Sequence, residues 1–311
     1  MSRPARHSLI PLRHGVSASC VAQPSNVAFE RLLDFLAHRL TAIDRHAWAL
    51  RMAQGDVLDE SGLPLPPDAP CRPGARVYYY RHIDDEPVVP FEETVLHQDA
   101  HLVVADKPHF LPVTPGGRYV QQTLLVRLKR RLGLPELSPV HRIDRETAGL
   151  VVFSVRPQDR AAYQALFRER TVDKVYEAIA PHTPRLATPQ RRCSRIVEED
   201  GAFFRMTEAP GEPNSETTIA LLEQRGPWAR YRLEPVTGKR HQLRVHMNAL
   251  GLPIVGDQFY PRVLRGPDEA EDFREPLRLL AQAIAFTDPV TGEARRFESG
   301  RGLQWPVAEA G

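Results

Sequence analysis

An aspartate flanked by arginines, Asp144 in the run His141-Arg142-Ile143-Asp144-Arg145-Glu146-Thr147, stands just before Gly149 and the apolar Leu150-Val151-Val152-Phe153. The apolar run is short and β-branched, so it reads as a strand, and the charged run becomes a loop fastened to a sheet edge. A carboxylate held there is rigid enough for general acid, general base or nucleophile chemistry. The same residue types also build plain solvated turns, and this stretch alone leaves both readings open.

A kinase catalytic loop also carries His-Arg ahead of Asp. Here the context is missing: there is no G-x-G-x-x-G loop, no Asp-Phe-Gly and no Ala-Pro-Glu, and the Asp falls one residue late.

Two further stretches hold reactive groups. Over Thr171 to Ala180, Val172, Lys174, Tyr176 and Ala178 alternate with Val175, Glu177 and Ile179, a strand pattern that puts Lys174 and Tyr176 on one face. A tyrosine in a strand is more often core than reactive unless a neighbouring site asks for a phenol. Further on, Thr237-Gly238 makes a turn, and Lys239 to His246 leads into a helix with Leu243, Met247 and Leu250 on one face, Gly251 at its end and Pro253 beyond. Arg244 then lies near the helix start, oriented by packed neighbours. His241 and His246 are five apart, not the four that set two ligands on one helix face, so no metal site is expected.

These groups need a scaffold, and the composition allows one. The chain has 311 residues, 42% of them hydrophobic, enough for one large or two unequal domains. Net charge is only +2, so local clusters of Arg and Lys matter more than the total. Cys20, Cys71 and Cys193 are scattered, which indicates neither a disulfide framework nor a zinc site and suits a reducing, cytoplasmic setting. No apolar run approaches a membrane span.

Residues 1–26 are acid-free, with Arg3, Arg6 and Arg13 among several prolines, and are expected to be a flexible basic arm. Over 27–83, one helix with apolar residues at 29, 32, 33, 36 and 40 is followed by a second, N-capped by Asp44 and ending at Gly55. Asp56-Val57-Leu58 and Val77-Tyr78-Tyr79-Tyr80 then read as a small hairpin. Arg39, Arg45, Arg51, Arg76 and Arg81 interleave with tyrosines, an electrostatic and stacking footprint that suits RNA. Residues 84–91 form an acidic, proline-containing linker.

The second domain, 92–300, opens with strands at Val95 to Asp99 and Leu102 to Ala105, the latter ended by Asp106-Lys107-Pro108. Leu124 to Leu132 reads as a basic helix whose Arg127, Lys129, Arg130 and Arg131 suit phosphates as well as plain solvent. Pro157 to Arg168 reads as another helix. Residues 262–276 are a charged surface insertion, and Leu279 to Phe286 with Ala294 to Phe297 make a closing hairpin before a 301–311 tail.

Four blocks in order, HLVVADKPHFLPVTPGG from 101, HRIDRETAGL from 141, KVYEAIA from 174 and PVTGKRHQLRVHMNALGLPIVGDQFYP from 235, resemble the RluA-type pseudouridine synthase family, and they cover most of 91–300. The 27–83 stretch, with WALRMAQG from 48 and the closing Gly74-x-x-Val77-x-Tyr79, resembles an S4-type RNA-binding module. Departures from the family are Ala148 where serine is usual, Lys239 where arginine is common and Leu280 where histidine is frequent; none removes a group the chemistry needs.

The resemblance implies an α+β protein: a catalytic domain on a mixed, largely antiparallel sheet and a small α+β S4-like domain before it. It implies isomerisation of a uridine in structured RNA to pseudouridine, with ribosomal RNA favoured over transfer RNA, no cofactor, no nucleotide cofactor and no metal, by a monomer. Asp144 is then the catalytic aspartate, Tyr176 the active-site tyrosine and Arg244 the cation paired with the aspartate. Arg142, Arg145, Thr147, Lys174, Arg240, His241 and Lys107 are the candidate substrate contacts, with Arg142 placed to fill the space a flipped nucleotide leaves. Attack by Asp144 on sugar or base, or proton abstraction alone, all remain open. The competing readings are a catalytically silent RNA-binding or ribosome-assembly factor and, more weakly, a glycoside hydrolase, which would want a second carboxylate paired with Asp144.

Overall fold

A computed structural model describes residues 10–25, 29–81, 83, 85–266 and 269–306. Residues 1–9 and 26 of the expected arm, Asp84 of the linker and 307–311 of the tail lie outside the described residues. The elements run β1 (Ser19–Ala22), α1 (Leu32–Arg39), α2 (Arg45–Ala53), β2 (Val57–Leu58), β3 (Arg76–Tyr79), β4 (Thr94–Gln98), β5 (Leu102–Lys107), α3 (Leu124–Leu132), β6 (Ser138–Pro139) and β7 (Ala148–Ser154). They continue α4 (Arg160–Arg168), β8 (Asp173–Pro181), β9 (Gln190–Glu199), β10 (Ala202–Ala209), β11 (Ser215–Arg225), β12 (Trp228–Pro235), α5 (Gln242–Ala249), β13 (Leu279–Thr287) and β14 (Ala294–Glu298).

The N-terminal unit packs α1 and α2 on a three-stranded sheet of order β1-β3-β2. Asp44 caps α2 by accepting the Ala47 N–H at 2.8 Å, and Trp48, fully buried, sits at the centre with Leu32, Leu36 and Val77. One correction concerns the arm: Ser19–Ala22 pairs antiparallel with β3, and Arg13 donates to the Gly55 carbonyl at 2.7 Å and pairs with Asp56. The arm's composition carries no strand pattern; the free edge of β3 supplies the missing partner. The linker is also fixed, since the Glu86 carboxylate accepts the N–H groups of Val120, Gln121 and Gln122.

The large sheet follows β10-β9-β11-β12-β8-β13-β7-β5-β4, with β14 beside β13 and β6 beside β7. It is mixed and mostly antiparallel; β13 runs parallel to β7 over Leu280↔Ala148 and Ala281↔Gly149. On β5 and β7, Val103, Ala105, Val151 and Phe153 face α3 through Leu124 and Leu128. The alternate residues Leu102, Val104, Leu150 and Val152 face Tyr163 of α4. Burial on both faces is why these strands read as continuous apolar runs. In the β8–β12–β11 part, Ala178, Ile219, Tyr231 and Leu233 pack under Leu243 and Met247 of α5.

Two expectations change here. Three of the four cations of helix α3 are engaged within the protein: Arg127 donates to the carbonyls of Val89 and Phe91, Lys129 is buried and donates to Ser17 Oγ, and Arg131 pairs with Glu93 at 3.2 Å, whereas Arg130 is exposed. The packing of the second domain extends past 300 into the expected tail, because Leu303 is buried against Ala148, Ile179 and Leu280. Strands β9 to β12 also had no counterpart in the sequence reading. The 262–276 segment has no helix or strand among its described residues, and its Phe273 packs on Phe91 and Phe110.

Candidate active site

The Asp144 loop is held from three sides. Lys107, at the end of β5, is fully buried and donates Nζ to the carbonyls of Pro108 and Arg145, each at 3.0 Å. The His109 ring donates to the Glu146 carbonyl at 2.7 Å. His141 Nε2 accepts the Val152 N–H at 3.1 Å, and its ring stacks on Phe167 with centroids 4.5 Å apart. Burial, helped by the nearby Lys174 charge, pushes the His141 imidazole down to about 3, which agrees with a ring that accepts. Lys107, expected at the substrate, is therefore a buried clamp behind the loop; the correction follows from its place on a strand covered on both faces.

Gly149 lets the loop meet the opposite half of the sheet. Its φ is +108°, and a Cβ there would lie 2.3 Å from the Ala281 carbonyl oxygen, inside the β7–β13 contact.

Arg244, in the first turn of α5, arrives from that opposite half. The turn before it is closed by Gln242 Oε1, which accepts from Thr237 Oγ1 at 2.6 Å and from the Lys239 N–H at 3.0 Å. The Arg244 side chain is fully buried. It forms a two-pronged pair with Asp257, Nε–Oδ2 at 2.8 Å and Nη2–Oδ1 at 2.6 Å. Its remaining nitrogen, Nη1, faces Asp144 Oδ2 at 3.3 Å and Glu146 Oε2 at 3.5 Å. Burial disfavours the Arg244 charge, but Asp257, Asp144 and Glu146 outweigh it and hold the guanidinium firmly protonated. Glu146 is likewise pushed up by burial, and Arg244 and Arg145 more than reverse this, leaving it at about 2.

Tyr176 on β8 stands opposite Leu233 and Ala281. Burial, then the charge of Asp144, pushes its phenol above the ordinary tyrosine range, so it stays protonated. Lys174, two residues earlier on the same face, donates to the Thr237 carbonyl at 3.2 Å. Burial, then Arg170, lowers its ammonium to about 8.

These groups line one cleft of about 680 Å³, which Asp144, Tyr176, Arg244, Arg142, Arg145, Thr147, Lys174, Arg240 and His241 all reach. Asp144 is its only carboxylate among the described residues, facing seven cations: Arg142, Arg145, Arg168, Lys174, Lys239, Arg240 and Arg244. His241 is buried, bonds Tyr260 through Nδ1 at 3.1 Å and stacks on Phe259. His246 points elsewhere, to Thr217, Ser194 and Ser215. Sequence reasoning missed Asp257 and Glu146 as partners of Arg244. Glu146 stood in the charged run beside Asp144, but Asp257 carried no signal beyond a turn.

The site is a rigidly held carboxylate in a cleft otherwise lined by cations, at the junction of a mixed sheet. Residues 101–249 match the family of RNA pseudouridylate synthases. An uncharacterised RNA pseudouridine synthase of Synechocystis is 32% identical over 232 residues, 74% of this chain and 79% of the relative. The dual-specificity RNA pseudouridine synthase RluA of Haemophilus influenzae is 31% identical over 228 residues, 68% of this chain and 94% of the relative. The solved structure titled human RNA pseudouridylate synthase domain containing 4 superposes with a TM-score of 0.54 at 28% identity, covering 68% of this chain and 88% of that one. The chain belongs to the RluA-type RNA pseudouridine synthases, which are isomerases.

Proposed function

We propose that Asp144 is the carboxylate that engages a flipped uridine in structured RNA, with ribosomal RNA the first substrate to test. The observation that carries this is the lone cleft carboxylate ion-paired to a buried arginine and surrounded by cations. The isomerisation breaks the bond from ribose C1′ to uracil N1 and joins C1′ to C5; C5 loses a proton and N1 gains one, so no cofactor or redox partner enters. Asp144 acts at the sugar or the base, Arg244 keeps a cation beside it throughout, and the protonated Tyr176 packs against the uracil.

The target atoms are hidden in stacked RNA, so the nucleotide must leave the stack. Arg142 is exposed at the cleft edge next to Asp144 and is the group we assign to the vacated space. Lys174, Arg240 and His241 serve the flanking phosphates. The N-terminal helices and sheet serve as an S4-like module that adds RNA contacts, and a cytoplasmic monomer is the working form. Affinity then falls steeply with salt.

The test is tritium release from RNA labelled at C5 of uridine, with wild type and Asp144→Asn on separate ribosomal and transfer RNA transcripts. Because relatives carry the name dual-specificity, both substrates belong in it. Release by wild type alone supports the reading; binding of RNA with no release by either protein favours a silent assembly factor.

A further inference from the structure

Arg145 lines the cleft beside Asp144 but is already engaged. Its Nη1 donates to Glu271 Oε2 at 2.8 Å and to the Tyr119 hydroxyl at 2.9 Å, and its Nε pairs with Glu146 at 2.9 Å. The guanidinium carbon lies 5.6 Å from the Tyr119 ring centre. A second cation stands close by: Arg118 Nη1 donates to the Glu269 carbonyl at 2.8 Å and lies 3.9 Å from Glu271 Oε1. Glu271 belongs to the 262–276 segment, which the sequence marked as an insertion and which is seated by Phe273 on Phe91 and Phe110.

The pattern is an oxyanion held by two guanidiniums and a phenol at the edge of a cleft otherwise lined by cations. Guanidiniums and hydroxyls of this kind are what phosphate oxygens take from proteins. The Arg145 and Glu271 side chains are 29% and 14% exposed. The pair thus keeps contact with water on the Arg145 side, from which another anion can reach the guanidinium.

We propose that Arg145, Arg118 and Tyr119 form a binding site for a backbone phosphate of the RNA, and that Glu271 occupies this site until RNA displaces it. The proposal rests on the RNA reading above and deepens it: it fixes where the strand leaves the cleft on the Asp144 side.

The experiment is fluorescence-anisotropy binding of the two transcripts to the full chain at several salt concentrations, with pseudouridine formation followed in parallel. The proteins are wild type, Glu271→Gln, Arg145→Gln and the double variant. Glu271→Gln should bind about twofold to fivefold tighter, with a salt slope steeper by about 0.7, since no carboxylate is left to recapture a counterion. The double variant should bind no better than Arg145→Gln. Unchanged affinity in Glu271→Gln, or a gain that survives without Arg145, overturns the site. Pseudouridine formed by wild type with no effect of Glu271→Gln removes the site and leaves the function standing. Tighter binding with no pseudouridine from any protein does the reverse, and absence of RNA binding throughout removes both.

Discussion

The β4–β5–β7 half of the large sheet is covered on both faces, by α3 and by α4, whereas the β8–β12–β11–β9–β10 half has α5 on one face and leaves Arg230, Arg232 and Glu234 on the other. The closed half carries Asp144 on a clamped loop, and the open half carries Tyr176, Lys174 and, through α5, Arg244. They meet at the junction of β7, β13 and β8, where the parallel contact is two residues long. The contrast separates two requirements of one site. A carboxylate that must not move is anchored in a core with low tolerance for change, while Lys174 and Arg244 approach it from the half that is covered by a helix on one face only.

That division can be broken most sharply at Asp144. Asp144→Asn should lower pseudouridine formation by about 10²–10⁴-fold while thermal unfolding stays at the wild-type temperature; a large loss of stability would mean that the closed half depends on the carboxylate itself. Next in size is the junction: Gly149→Ala forces a Cβ into the Ala281 backbone at positive φ and should cost about 3 kcal/mol in denaturant unfolding. A near-neutral result would show that the two halves need not approach so closely.

A smaller effect concerns pH on the open half. Lys174 is cationic below about 8 and neutral above it. Its share of RNA affinity is therefore present at lower pH and lost as pH rises through that value. Binding should weaken by a factor of about three for one phosphate contact, and Lys174→Arg should remove this step; an identical pH profile in the variant counts against Lys174 as a phosphate ligand. Smallest of all, Arg232→Ala, at an exposed position of β12, should change stability by no more than about 0.5 kcal/mol. A larger loss would mean that Arg232 itself carries packing that its exposure hides.

The same contrast explains what could be read in advance. Strands buried on both faces leave unbroken apolar runs, so Leu102 to Ala105 and Leu150 to Phe153 were legible, as were α3, α5 and the β13–β14 hairpin. Strand β12 alternates buried residues with long charged ones such as Arg232, and β9 carries Arg191 and Arg192 with one buried residue, Ile196, which dilutes the apolar signal. Strand β1 was hidden for another reason, because its four residues pair with an edge more than fifty positions away.

By itself the sequence determined the residue types at the site and the order of the four blocks, since local spacing fixes which side chains share a strand face or a helix turn. The mixed, largely antiparallel α+β fold came from the resemblance those blocks carry, since periodicity alone left β9 to β12 unread. Only the tertiary structure decided how those charges are shared. It gave Arg244 to Asp257 first and to Asp144 second, buried Lys107 behind the loop, directed Arg127 into the linker and set Glu271 on Arg145. The physical reason is that a buried charge is stabilised by whichever opposite charge lies within about 4 Å, and chain separation carries no information about that distance.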